Sequence, residues 1–386
     1  MLEMFSAWLE PVRAQLPADF SADDSACLSD EITRLALNRF GQFLDGIRAY
    51  QNAPARRDVG EDIHAIWQKG TTRLLDYGID SQGAIILVVP SLINRFEILD
   101  IDQERSFLRF LAGQGYRPLV LDWDIPGVEE GQFTLADYVE KRLEPALDVA
   151  FALMGGRKVH LLGYCMGGVM AVALAARQKQ RLSTLTLMAT PWDFEICSIS
   201  GVPPAHTFMG QMFLQQSRIA LSCLSEIDVL HPSFLQAVFA GFQPLPVLQK
   251  FMQFAVAGLP DERVRRFVLT EDWLNNGVPL SLPVAKECLE LWYAENALAK
   301  NKWDVGGTIV DPSGLDLPCC LMIPQEDKVV PPESAKALAS ALPQVQLIEP
   351  PTGHLGLMVS DRARENVWEP YVSWLQTVEP HRSFKK

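Results

Sequence analysis

The sequence predicts an α/β fold: a doubly wound, mostly parallel sheet with helices on both faces and a cap inserted between core strands. Three observations predict it. Short runs that are apolar on both faces recur along the chain and alternate with helical patterns, as strands buried in a parallel sheet do. Gly163-Tyr164-Cys165-Met166-Gly167-Gly168 joins one such run to an Ala-rich helical segment. Residues 191–305, rich in Phe, Met, Trp and Pro, interrupt the series and are too long and too apolar for a loop, since structureless connections beyond about 15 residues are uncommon.

Taken in order, residues 1–78 read as a mostly helical N-terminal extension punctuated by Pro17 and Pro54. The first part of the core, 79–190, holds the strand candidates 84–90, 117–123, 158–163 and 184–190. Between them, 134–154 opens with Thr134 and Asp137 in capping-box spacing, and 168–178 is Ala-rich. After the cap at 191–305, the second part of the core, 306–380, carries strands at 317–323 and 345–350, with a helix over 333–341 behind Pro331 and Pro332. Residues 381–386 are a tail. Alternation of this kind places helices on both faces of the sheet.

Composition bounds the function. With 48% hydrophobic and 21% charged residues, the chain fits a globular protein and not a disordered or collagenous one. Acidic residues number 47 against 34 basic, a formal net charge of −13, which argues against nonspecific nucleic-acid binding. No apolar run approaches the roughly 20 residues of a membrane helix, and MLEMFSAWLE lacks the basic start of a secretory signal. Seven cysteines, an odd number without zinc-ligand spacing, suit a reducing cytoplasm and no metal site.

The strongest chemical signal is the Gly-rich turn around Cys165. A strand, a sharp turn and a helix form the context of a nucleophile elbow, here with Cys in place of Ser. The helix N-terminus favours the thiolate; the competing reading is a buried Cys in a turn. Of six histidines, His354 follows the last strand in a loop bounded by Gly353 and Gly356, at the carboxyl end of the sheet where such sites lie. His160 enters its strand from the opposite end and reads as structural. Asp327, directly past strand 317–323, completes the order Cys, Asp, His; Asp193 and Glu326 compete for that place. The oxyanion hole would combine the backbone N–H groups of Met166 and Ile93.

The motifs Pro90-Ser-Leu-Ile-Asn-Arg95 with Asp100 and Asp102, Val120-Leu-Asp-Trp123 with Pro126, the Cys165 turn, Thr190-Pro-Trp-Asp-Phe194, Asp327 with Val330-Pro-Pro332, and Gly353-His-Leu-Gly356 resemble, in this order, those of the polyhydroxyalkanoate synthases. The match runs over roughly 80–378 and looks most like the short synthase subunits of the two-component type. The resemblance implies an α/β-hydrolase fold under a cap, polymerising (R)-3-hydroxyacyl groups from coenzyme A thioesters. Cys165 would be acylated, His354 would activate it, and Asp327 would be the third catalytic member. No cofactor is implied, because coenzyme A belongs to the substrate and leaves as product. Implied partners are the acyl-CoA, the growing polyester, a second synthase subunit and a homodimer, with association at granules in the cytoplasm. The family usually has Gly after the Asp-Trp pair, where this chain has Asp124.

The chemistry agrees. A cysteine attacking an acyl-CoA exchanges one thioester for another, so the acyl group stays activated for a hydroxyl nucleophile. The alternative is a thioesterase, esterase or depolymerase with the same triad; a further one is an idle paralogue that binds granules or a synthase. Trp192, Trp273, Trp292 and Tyr293 would line an acyl channel or be plain core, and Phe208, Met209, Met212 and Phe213 show helical spacing. Arg95, Arg105 and Lys328 are the nearest basic candidates for the coenzyme A phosphates, each also readable as a surface charge.

Overall fold

The six apolar runs become six strands of an eight-stranded sheet in the computed structural model of the chain. The structure describes residues 22–53, 63–79, 81–224, 228–242, 244–255 and 260–379; the tail 381–386, with His381, and Pro17 and Pro54 lie outside them. The strands are β1 His64–Lys69, β2 Thr72–Asp76, β3 Ile85–Val89, β4 Arg117–Asp122, β5 Val159–Tyr164, β6 Leu182–Met188, β7 Cys319–Met322 and β8 Val345–Ile348. Their spatial order is β1-β2-β4-β3-β5-β6-β7-β8. Pairing from β4 to β8 is parallel, with Leu87 facing Leu161 and Leu161 facing Leu185 across the centre. Every residue of β3 and β5 is buried, as strands covered on both faces must be. Each large aliphatic side chain there contributes roughly 1.5–3 kcal/mol by leaving water.

One element departs from expectation. Residues 64–76, inside the stretch that reads as helical, form an antiparallel hairpin, and β2 runs antiparallel to β4 as well. The turn is made at Gly70, whose φ of 58° suits glycine. On β1 only Ile66 and Trp67 are even half-buried, so this edge strand carries no apolar alternation to announce it. What anchors the hairpin is a buried ion pair. Arg142 Nη2 donates to Glu130 Oε1 at 2.6 Å and to Glu129 Oε2 at 2.7 Å, while Glu130 accepts the backbone N–H groups of Thr71 and Gly127.

Besides the single turn Leu135–Tyr138 that leads toward α3, the α-helices are α1 Ala22–Asn52, α2 Phe107–Gly113, α3 Glu144–Leu153, α4 Met166–Gln178, α5 Phe208–Cys223, α6 Pro232–Phe242, α7 Pro244–Phe254, α8 Asp261–Asn275, α9 Leu282–Glu287, α10 Pro332–Ala341, α11 Gly356–Val359 and α12 Glu369–Val378. Thr134 and Asp137 do form the capping box. The chain divides into two compact units, Met1–Pro54 with Leu245–Val264, and Ala55–Pro244 with Arg265–Lys386. Within the smaller, Gly46 packs on the backbone of Phe251, whose ring meets Phe43 and Tyr50 edge-on at 5.9 Å. The larger holds the sheet together with most of the helical stretch expected as a cap. There Val229–Leu230 pairs with Leu280–Ser281, Ser281 Oγ donates to the carbonyl of Phe133, and Glu287 accepts the N–H of Leu135. These bonds seat the inserted helices on the loops beyond the carboxyl end of β4.

Candidate active site

Strand β5 ends at buried Tyr164, and Cys165 then takes φ 54° and ψ −126°. Such a conformation costs a non-glycine residue roughly 1–3 kcal/mol and persists only when its surroundings enforce it. Here the Cys165 N–H donates to Met188 O at 2.8 Å, and the Cys165 carbonyl accepts from Gly168 N at 2.9 Å. The flanking glycines provide room, not torsional freedom. A Cβ on Gly167 would strike the carbonyl oxygens of Val89 and Pro90, one on Gly168 the Thr190 side chain, and one on Gly163 the backbone of Gly168. Strands β3, β5 and β6 thus converge on the turn, and α4 begins at Met166 with its N-terminus beside the thiol.

The loops after β7 and β8 are knitted together by Gln325 N to Pro350 O and Glu326 N to Thr352 O. Together they bring Asp327 and His354 face to face. Asp327 Oδ2 accepts from His354 Nδ1 at 2.8 Å, and its Oδ1 accepts from Val329 N and Val330 N at 2.8 and 2.9 Å. A carboxylate held by three donors cannot swing away. His354 and Cys165 line one recess, and Tyr164 Oη donates to the His354 carbonyl. Burial pushes the His354 pKa down, but the Cys165 and Asp327 charges beside it outweigh burial and raise it to about 10. The site therefore favours a proton on His354.

The competing acids lie elsewhere. Asp193 accepts from Glu195 N and Asn296 Nδ2, and Glu326 points to solvent. His160 is buried at the other end of β5, between Thr184 Oγ1 at 2.9 Å and Glu379 Oε1 at 3.0 Å. Burial raises the thiol pKa of Cys288, Cys319 and Cys320, that of Cys319 to about 12, which keeps these sulfurs unreactive.

A family model described as "Alpha/beta hydrolase family" matches residues 100–367, more than half of the chain. The chain belongs to the α/β hydrolase family. Among solved structures, BpoC of Mycobacterium tuberculosis, described as a non-heme bromoperoxidase, superposes with a TM-score of 0.53 at 16% identity, over 82% of this α/β hydrolase and 99% of that chain. DcsB in complex with its substrate analogue gives 0.52 at 17%, over 82% and 99%; both likenesses concern the fold. Curated relatives include proteins named poly(3-hydroxyalkanoate) polymerase subunit PhaC. That of Haloarcula marismortui is 28% identical over 82% of this chain and 68% of its own, and that of Haloferax mediterranei 29% over 80% and 62%. That of Allochromatium vinosum is 24% identical over 90% and 97%.

In this α/β hydrolase Cys165 borders two recesses. One, of about 240 Å³, is lined by Ile93, Met166, Phe194, Leu230, Trp292 and other apolar side chains. The second, of about 230 Å³, holds His354 with Asn94, Arg95, Trp273, Lys328 and Leu355. Trp292 and Tyr293 line the first recess, Trp273 the second, while Trp192 is core and Phe208, Met209 and Met212 are exposed. Leu230, Phe234 and Leu289 also line the first, though nothing in the sequence marks them beyond being apolar. Ile93 and Met166 line the first recess with Cys165, and the Ile93 N–H donates to Ser91 Oγ at 3.4 Å. Asp124 takes φ 54°, with its carboxylate on Ile125 N and 3.6 Å from Arg95. Glycine is the easy residue for that backbone, and Asp is among the few others that tolerate it.

Proposed function

We propose that this α/β hydrolase is a polyhydroxyalkanoate synthase that polymerises (R)-3-hydroxyacyl groups, such as 3-hydroxybutyryl, from their coenzyme A thioesters with release of coenzyme A. The observation that carries the reading is a cysteine at a strained elbow that shares a recess with the Asp327-bonded imidazole of His354 and borders an apolar cavity. The PhaC names of relatives aligned over most of the chain support it. In the acylation step Cys165 Sγ attacks the thioester carbonyl, and its proton is held by His354. The tetrahedral oxygen takes hydrogen bonds from Met166 N and Ile93 N. As the carbon–sulfur bond to coenzyme A breaks, His354 returns the proton to the leaving thiolate. In the second step His354 accepts the proton of a 3-hydroxyl group while that oxygen attacks the Cys165 thioester, forming one ester bond and freeing Cys165. Asp327 fixes the imidazole tautomer throughout. No resident cofactor is needed for either step.

The apolar cavity favours acyl transfer over hydrolysis, because water is the competitor for the thioester. The relatives' designation as subunits supports action with a second subunit. Among the described residues no helix is long and apolar enough to cross a membrane. Incubation with 3-hydroxybutyryl-CoA, with and without host lysate fractions, tests the reading. Free coenzyme A with insoluble polyester is expected; free coenzyme A with monomeric acid alone would establish a thioesterase instead. Cys165→Ala is expected to abolish release, by at least about 10³-fold.

A further inference from the structure

Helices α5 and α6 each carry an apolar stripe that the catalytic chemistry leaves unused. On α5, Met209, Met212, Phe213 and Ser217 fall at i, i+3, i+4 and i+8; on α6, Phe234, Ala237 and Val238 fall at i, i+3 and i+4, so each set shares one helix face. The two faces line one groove of about 380 Å³. Stripes of this kind ordinarily close on each other as core, yet Met209 and Met212 remain 55% and 41% exposed. Each helix is held from elsewhere. Arg218 on Glu290 and the Phe213 ring, edge-on to Tyr293 at 5.5 Å, fix α5, while Gln236 Nε2 fixes α6 by donating to Leu274 O at 2.6 Å.

The groove adjoins the cavity of the nucleophile. Phe213, Ser217, Phe234 and Val238 line both the groove and the apolar cavity that Cys165 borders, and all four are half-buried, as side chains standing between a cavity and solvent are. They form a neck between the two volumes. The inner one, about 240 Å³, falls below the roughly 300–1,000 Å³ of ordinary ligand pockets, so a product that lengthens at every turnover must leave it while still attached to Cys165. The groove matches that product in chemistry as well as in position. A polyester is uncharged, apolar along its side groups, and rich in carbonyl acceptors without donors. Among the described residues that line the groove none is charged, and Gln216 and Ser217 supply donors.

We propose that the groove between α5 and α6 is the exit path of the growing polyester, entered through the neck at Ser217, an inference that rests on the synthase reading above. Two variants of the full chain, supplied with 3-hydroxybutyryl-CoA, test it. Ser217→Trp fills the neck, and Met212→Glu sets a carboxylate in the groove at a position that already faces solvent, so the fold accepts it. In each, coenzyme A release is expected to stall after the first few equivalents per enzyme, with the mean polyester at least about tenfold shorter than the wild-type product, because an apolar chain passes neither the added bulk nor a carboxylate it would desolvate. Met212→Leu, which keeps the wall apolar, is expected to restore the length. In the wild type, Met209 and Met212 are expected to lose most of their reactivity toward hydrogen peroxide once a few equivalents of substrate have been consumed, read by mass spectrometry. Polyester of wild-type length from both Ser217→Trp and Met212→Glu would overturn the exit path and leave the synthase reading standing. Protection of the two methionines without substrate, rising with protein concentration, would also overturn it, by seating a second copy of the chain in the groove. Wild-type protein that yields only monomeric acid would overturn the synthase reading, and the exit path with it.

Discussion

His354 Nδ1 stands 2.8 Å from Asp327 Oδ2, and the other oxygen of that carboxylate is held by the N–H groups of Val329 and Val330. The donor must be the imidazole, since an ionised carboxylate only accepts. The ring is thereby oriented, with Nδ1 committed to Asp327.

Asp327→Asn preserves shape but offers an amide where the carboxylate was, and the imidazole loses its orienting acceptor. Coenzyme A release from 3-hydroxybutyryl-CoA is expected to fall by about 10³–10⁴-fold in kcat, as for carboxylate-to-amide changes in other triads. Steady-state kinetics reads the effect; a decrease below tenfold would remove Asp327 from the mechanism. Asp193→Asn, at a carboxylate bonded to Asn296, is expected to retain most of kcat.

The pKa of His354 is the handle for pH. Of the interactions that raise it, the Cys165 charge is the largest, with Asp327 next, while burial opposes both. Nearby anions favour the charged imidazole, so His354 is expected to keep its proton through neutral pH and lose it near pH 10. Cys165→Ala removes the leading anion and leaves burial in place. The pKa must then fall. Nitrogen NMR of the ring across pH 5–11 measures both values; an imidazole that titrates near 6.5 in both proteins would refute the coupling.

Gly167→Ala places a methyl group against the backbone oxygens of Val89 and Pro90, which have no side-chain freedom with which to yield. A stability loss of roughly 1–3 kcal/mol or more is expected, with displacement of Cys165 and loss of activity. Urea denaturation gives the first number. Gly314→Ala, where an added Cβ meets nothing within 4 Å, is the comparison and is expected to change stability little.

Arg142 is wholly buried and neutralises Glu130, itself 2% exposed. Arg142→Met strands that carboxylate, at a cost of roughly 3–5 kcal/mol. Arg142→Met with Glu130→Gln removes the stranded charge and is expected to recover part of the loss, the amide oxygen keeping an acceptor for one of the two N–H groups of Thr71 and Gly127. Equal destabilisation in the single and double variants would mean that packing of the guanidinium on the Phe133 ring, 4.6 Å away, is what matters.

The central sheet was legible because strands covered on both faces must be apolar throughout, and the runs at 84–90 and 158–163 are. Cys165 was legible because a strained turn between strand and helix demands small neighbours on both sides. His354 and Asp327 follow from the same rule, each lying just past a strand end. The edge strand β1 was not legible, since its exposed, polar residues are specified by pairing with β2 and not by burial.

By itself, then, the sequence determined the α/β core, the order of its central strands along the chain and Cys165 as the candidate nucleophile, because local spacing and burial encode these. Only the tertiary structure showed that Asp327, not Asp193, meets His354, since both follow strands and only contact across the sheet separates them. It also decided which cap side chains border the thiol, and that Phe251 of α7 packs on α1. Apolar helical patterns state that a face is buried; they do not state against what. Pairing between distant segments is a property of the folded chain.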